Sequence, residues 1–410
     1  MNKHWDNLTY QEVYVHISKT ALIYSVKNCN CAPPIEVTKM DSPSIYLHKI
    51  VTVVPEKFYT QEFALNFLLK LAGDSEKKRS LLTKLYKGTQ IRKRHTVIDD
   101  YDKDPSEHTF YPKNPTLKPE PSTAQRNDLY IKEAKRLTLR AAEQLLEEAP
   151  EFDRQKISHV ITVSCTGFVA PGLDFFLTRD LGLKPSAHRY NIGFMGCQGA
   201  FPGMKLARDI CRADSDARVL LVNVELCSVH IQQREEMDIV VSNAIFADGI
   251  SAALISAHKD DVKGTKYRMD NFATSFASNT ENDMAWRIGD HGFLMKLSVY
   301  VPQIVKDNIK PLMDGLFKES GIKQEEIDIW AIHPGGRSIL ERAEEALGIT
   351  KEHLDASYRI MEEYGNMSSA TIMFVLEDIL KDPKKEGKVF AAAFGPGITV
   401  EVGLMEKIDG

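Results

Sequence analysis

The sequence predicts an α/β fold built from two copies of one unit. Buried-type strands alternate with amphipathic helices through most of the 410 residues, and their order recurs. In the first copy the strand HVITVSCTG leads to the helix PGLDFFLTRDLGL, a turn at Gly196-Cys197 that opens a second helix, and the buried strand RVLLVNVEL. DIWAIHPGG, ILERAEEALGI, a helix opening after Gly365-Asn366, and VFAAAF repeat that order. The spacing agrees as well: Cys165 and Cys197 lie 32 positions apart, His333 and Asn366 33.

The remaining elements follow in chain order. Residues 1–42 read as an N-terminal extension, in which VYVHISKTALIYSV has the pattern of a strand or an amphipathic segment and CAPPIEVTKMDSP that of a linker. PSIYLHKIVTVVPEKFYT gives an apolar strand, then a helix from about Thr60, and the stretch 76–95 is basic. DKDPSEHTFYPKNPTLKPEPS is a polar, proline-rich loop long enough to carry function. TAQRNDLYIKEAKRLTLRAAEQLLEEA spaces its apolar residues by three and four, as an amphipathic helix does. The chain then divides into a half over 43–257 that holds the cysteine turn and a half over 258–410 that holds His333 and Asn366.

Composition limits the partners. With 43% hydrophobic and 27% charged residues the chain can bury a core and stay soluble. A net charge of −5 and a pI near 6.2 speak against a nucleic-acid or membrane surface, so an anionic ligand needs a local basic patch. Six cysteines without a signal peptide suggest reduced thiols in the cytoplasm. Cys29 and Cys31 form a CxC without a second pair, so no metal site is expected. No apolar run reaches the roughly 20 residues of a membrane span.

Equivalent loops of a duplicated α/β unit come together where the copies meet, which is where ligands bind. Cys197, His333 and Asn366 all occupy such loops. A helix N-terminus lowers a thiol pKa, and a nearby imidazole can act as base or as the cationic half of a thiolate pair. A buried structural thiol, a core histidine and an N-capping asparagine are the bland alternatives at these positions. An amide at an N-cap can also donate to a developing oxyanion.

Cys197 in MGCQGA, His333 in IHPGG, Asn366 in YGNMSSA and the terminal FGPGITVEVGL resemble the type III polyketide synthases, the chalcone synthase-like enzymes. The similarity runs from about Pro43 to the C-terminus. It implies a thiolase-like fold of two βαβαβ-type halves in αβαβα layers, and a homodimer. It further implies that Cys197 takes an acyl starter from coenzyme A, while His333 and Asn366 hold the thioester carbonyl of malonyl-CoA as it loses carbon dioxide. A pyrone, resorcinol or related polyketide is the implied product. Coenzyme A thioesters enter as substrates, with no cofactor or metal.

The same resemblance places other residues. Phe246 matches a gatekeeping phenylalanine between the coenzyme A tunnel and the cavity, and Met295, two residues from Phe293, stands where the family has a second one. Thr166, Cys227, His230 and Ser368 match cavity positions, and Ala170 matches the residue that reaches into the partner subunit's cavity. These differences favour an aliphatic starter over a bulky aromatic one. Lys84 and Lys87 match basic residues that meet the coenzyme A phosphates, and a solvated helix face is the plain alternative. Arg337 and Ser338 fall near the tunnel mouth. An initiating ketoacyl synthase that takes malonyl from acyl carrier protein shares the Cys, His and Asn, and the FGPG and IFADG motifs favour the polyketide reading over it. HMG-CoA synthase lacks an assignable general-base glutamate here. A non-catalytic acyl-CoA-binding protein of the same fold is the remaining alternative.

Overall fold

The computed structural model describes residues 43–71 and 75–410; the N-terminal extension, with Cys29 and Cys31, lies outside the described residues. Residues 42–410 form one compact unit. The chain opens with strand β1 (Ile45–Val53), the short β2 (Phe58–Thr60) and helix α1 (Gln61–Leu71). Thr60 starts that helix by accepting a bond from the Phe63 amide at 3.1 Å, the role its hydroxyl favours at an N-cap. Helix α2 (Glu76–Gly88) and β3 (Lys93–His95) follow. The proline-rich loop then folds into short 3₁₀ turns and buries Tyr111 and Leu117.

Helix α3 (Thr123–Glu147) begins at a capping box formed by Ser122 and Gln125. It buries Tyr130, Ala134, Leu137, Ala141 and Leu145, the three- and four-residue spacing seen in the sequence. The first copy is β4 (His159–Ser164), α4 (Leu173–Asp180), β5 (His188–Gly193), α5 (Ala200–Ala213), β6 (Arg218–Leu226), α6 (Met237–Ile245) and β7 (Asp248–Ser256). The second is β8 (Lys266–Phe276), the hairpin β9 (Met284–Gly289) and β10 (Gly292–Leu297), α7 (Val301–Ser320), β11 (Ile329–Ile332), α8 (Arg337–Leu347), α9 (Asp355–Tyr364), α10 (Thr371–Lys381), β12 (Gly387–Gly395) and β13 (Thr399–Ile408).

Strand order makes the duplication visible. Among the described residues one sheet runs β5-β4-β6-β7-β1-β8-β13-β12-β11, so the order outward from β1 repeats outward from β8. The halves join where β1 pairs antiparallel with β8, Ile45 opposite Met269 and Leu47 opposite Tyr267. In one slot of the repeat the copies differ in kind: the first has edge strand β5, paired parallel to β4, and the second has α9. DASYRIMEEY offers good helix formers and buries Ala356, Ser357, Ile360 and Met361 on one face, whereas HRYNIG keeps an extended, largely exposed edge.

Three apolar clusters set the layers. The middle one packs α5 and α10 between the two halves of the sheet. The outer two hold α3 and α4 against the first half and α7 and α8 against the second. This is the expected αβαβα arrangement, and it carries the helix-opening turns of α5 and α10 to the centre of the molecule.

Candidate active site

Each central helix begins one turn later than the sequence suggests. Cys197 lies in a 3₁₀ turn, Gly196–Gln198, ahead of α5, and Ser368–Ala370 forms the matching turn after Asn366, ahead of α10. The two turns meet: a Cβ added at Gly199 would lie 3.2 Å from the Ser369 Cβ and 2.9 Å from Val163 Cγ1. Small residues after Cys197 therefore serve this close approach as well as leaving room for a ligand.

Gly196 has φ +69°, and a Cβ there would overlap the Pro396 ring. Gly196→Ala is expected to cost about 1–3 kcal/mol and to displace Cys197. A lowered melting temperature together with slower alkylation of Cys197 checks this; wild-type values for both would contradict it.

Asn366 sits at the junction of the halves. Its carbonyl oxygen accepts from the Ser368 amide at 2.8 Å and its NH₂ donates to the Gly335 carbonyl at 3.1 Å, which leaves both Oδ1 and Nδ2 3.9 Å from Cys197 Sγ. Its own turn-capping and its access to the thiol are thus one arrangement. The main chain is fixed too: Phe246 and Asn366 form an isolated parallel bridge, with Asn366 N bonded to Ile245 O and Ala247 N to Asn366 O, both at 2.9 Å.

His333 follows β11, held by its amide bond to Ala392 O at 2.8 Å, two residues before the Gly335 carbonyl that Asn366 touches. Both ring nitrogens are buried without a partner. Burial pushes its pKa down to about 3, so the ring is neutral at physiological pH. The imidazolium half of an ion pair is therefore replaced by a neutral imidazole, and among the described residues no hydrogen bond joins His333 to Cys197.

The thiol differs from expectation in the same way. Burial pushes Cys197 up to about 11, and the charge of Glu225 adds to that, against hydrogen bonds from Ser368 and Asn366 that lower it. Desolvation in this closed pocket outweighs the helix start. Glu225 itself was not singled out from the sequence. Burial raises it to about 7, and it accepts from Thr166 Oγ1 and Cys165 N at 3.0 Å each and from Ser369 Oγ. Its signal was a lone carboxylate inside the buried-type strand RVLLVNVEL.

Cys197 lines a cavity. Thr166, Cys227, His230, Phe246, Met295 and Ser368 all line it, and so does Phe293, which shares one face of β10 with Met295. His230 is locked: its Nε2 lies 2.8 Å from Thr166 O, its Nδ1 accepts from the Phe293 amide at 3.1 Å, and burial holds it neutral with a pKa of about 3. Its ring stacks on Phe293 at 4.0 Å, so this histidine shapes the wall. Ala170 is exposed and does not line the cavity of its own chain.

Lys84 and Lys87 project into solvent from α2, and among the described residues neither is in an ion pair. Arg337 and Ser338 are exposed at the start of α8, where Arg337 pairs with Glu341 at 2.7 Å. No group of three or more His, Cys, Asp or Glu among the described residues is placed to hold a metal ion, and no described helix is long and apolar enough to cross a membrane.

Comparison with known proteins agrees with this geometry. Residues 39–259 match chalcone and stilbene synthases, N-terminal domain, and residues 269–409 the C-terminal domain of the same family. The chain is 28% identical over 383 residues to the alpha-pyrone synthesis polyketide synthase-like Pks18 of Mycobacterium tuberculosis, covering 92% of this chain and 93% of that protein. Among solved structures it is similar to PKS-I from the brown alga Ectocarpus siliculosus, with a TM-score of 0.83, 29% identity, and coverage of 90% of this chain and 100% of that one. It is also similar to 1,3,6,8-tetrahydroxynaphthalene synthase from Streptomyces coelicolor, with a TM-score of 0.79, 27% identity, and coverage of 89% and 100%.

Proposed function

The chain belongs to the chalcone and stilbene synthase family and is a type III polyketide synthase, an acyltransferase-type condensing enzyme; from that premise we propose that Cys197, His333 and Asn366 carry its reaction on coenzyme A thioesters. The Cys197 sulfur attacks the carbonyl of an acyl-CoA starter, forming the acyl thioester on the enzyme and releasing coenzyme A with the thiol proton. Malonyl-CoA then loses its carboxylate as carbon dioxide, and the electron pair left behind becomes an enolate at its thioester. That enolate carbon attacks the acyl-Cys197 carbonyl, and the sulfur departs to be reprotonated. Further rounds and ring closure give a pyrone, a resorcinol or a related product.

The observation that carries this reading is the Asn366 amide, pinned by Ser368 N and Gly335 O so that it is held 3.9 Å from Cys197 Sγ. Donors that are already oriented in a site shielded from water stabilise an oxyanion without reorganising. A neutral His333 suits the same task, since it can donate one N–H without bringing a charge that would need solvation. Lys84 and Lys87 supply the local basic surface for the coenzyme phosphates. Two chains form the working dimer, with the exposed Ala170 facing the partner, and the enzyme works in the cytoplasm without a cofactor.

Purified protein given malonyl-CoA with acyl-CoA starters should release carbon dioxide and yield polyketides visible by mass spectrometry. Release only from malonyl carried on acyl carrier protein would favour an initiating ketoacyl synthase. No release from either would leave a binding protein.

A further inference from the structure

Helix α6 ends at Ile245, directly before Phe246, and the carbonyls of its last turn have no partners within the helix. Each is met from outside. Arg94 Nη1 donates to Asn243 O at 2.8 Å and to Phe246 O at 2.7 Å, the buried Gln61 donates through Nε2 to Ala244 O at 2.7 Å, and the main-chain amide of Asn366 donates to Ile245 O at 2.9 Å. Tyr86 OH adds a longer bond to Asn243 O, at 3.3 Å. Arg94 Nε donates to Gln61 Oε1 at 3.0 Å, so the two side chains form one cap, and a cation suits the negative end of a helix. The main chain of Asn366 belongs to that same cap.

Arg94 also touches the residue before Asn366. Gly365 has φ +72°, and a Cβ there would lie 2.8 Å from Ile245 O and 3.0 and 3.1 Å from Arg94 Cγ and Cδ. The aliphatic stem of Arg94 therefore packs on the start of the asparagine turn while its head holds the end of α6. Strand β3, which carries Arg94, is stitched to the end of α9 as well: Arg92 N donates to Glu362 O at 2.7 Å, the Arg92 guanidinium pairs with Glu363, and His95 stacks on Tyr364 with ring centroids 5.9 Å apart. No step described above uses Arg94, and it does not line the cavity of Cys197.

We propose that Arg94 is a positioning residue for the Asn366 amide: by gripping the end of α6 and backing Gly365, it sets where that amide stands relative to Cys197 and to the thioester that loses carbon dioxide. The inference rests on the reading of Asn366 as an oxyanion donor. A shift of the order of 1 Å is enough, since misplacement on that scale costs about 100-fold in rate. Arg94→Met keeps the stem against Gly365 and removes the bonds to α6, and Arg94→Lys keeps a cation there without the planar fork.

The test measures kcat and KM for malonyl-CoA decarboxylation without a starter in wild type, Arg94→Met, Arg94→Lys, Asn366→Ala and the Arg94→Met, Asn366→Ala double variant, with a melting curve for each. Arg94→Met should lower kcat about 10- to 100-fold at unchanged KM, while intact-mass analysis still shows acyl-Cys197 after incubation with an acyl-CoA. Arg94→Lys should fall between Arg94→Met and wild type. The double variant should match Asn366→Ala, because an amide that is absent cannot be misplaced. Wild-type kcat in Arg94→Met, a rise in KM alone, or losses that multiply in the double variant overturns the proposal and leaves the reading of Asn366 standing. If Arg94→Met does not fold, Arg94→Lys takes its place in the cycle, with a several-fold loss of kcat expected and wild-type kcat overturning the proposal. An Asn366→Ala variant with wild-type kcat overturns the reading of Asn366, and the proposal falls with it.

Discussion

Cys197→Ala will remove acyl loading and condensation, lowering polyketide formation by roughly four orders of magnitude or more, while malonyl-CoA decarboxylation persists. In the proposed reaction the thiol holds the acyl chain, and it lines the cavity that would receive it. The proposed oxyanion donors sit in the second half of the chain and do not depend on the sulfur: Asn366 keeps its bonds to Ser368 N and Gly335 O without it. Intact-mass analysis after incubation with acyl-CoA should show one acyl adduct in wild type and none in the variant. An adduct that persists in Cys197→Ala places the carrier elsewhere. Alkylation adds a pH signature. Because burial raises the thiol to about 11, the thiolate fraction, and with it the iodoacetamide rate, should keep climbing past pH 9. A plateau near pH 7 would mean a depressed pKa and contradict this account.

His333→Ala will reverse the pattern: acyl loading survives, while decarboxylation falls about 10²- to 10³-fold, the usual loss for one oxyanion donor. Both ring nitrogens lack partners, so a thioester oxygen entering beside them satisfies a donor that is otherwise buried unpaired. The sign of the pH effect follows from the direction of the shift. With a pKa lowered to about 3, His333 stays neutral from alkaline pH down to about 4, so decarboxylation should show no acid limb near 6.5 from this group. A clear limb there, lost in His333→Ala, would make the imidazolium the working form. Asn366→Ala should resemble His333→Ala, with some added loss of stability from the uncapped turn.

Much of the architecture was legible because its signals are local. Buried strands such as RVLLVNVEL and helices such as α3 announce themselves by period, and the turns before Cys197 and Asn366 by their glycines and spacing. Thr166, Cys227, His230, Phe246, Met295 and Ser368, far apart in the sequence, line one cavity with Cys197. What escaped depends on burial supplied from far along the chain. The thiol pKa is set by desolvation and by Glu225, 28 positions away on another element, and the neutral state of His333 by complete enclosure. A second cavity, on whose wall Phe246 also lies, is assembled from α1, the proline-rich loop and α6, whose separate patterns say nothing of the space left between them. The exchange of β5 for α9 was hidden because two short segments filled equivalent slots of the repeat with opposite local preferences.

The bridge between Phe246 and Asn366 bears on how such an enzyme can diversify. Main-chain bonds on either side of residue 246 hold its backbone to the asparagine turn, so a side chain can be exchanged there without breaking the bonds that tie the two segments. With Phe246 as the proposed gate, substitution at one codon would change which starters pass while Asn366 keeps its place. Selection, or a protein engineer, can explore new products from this position while the decarboxylating apparatus is inherited intact.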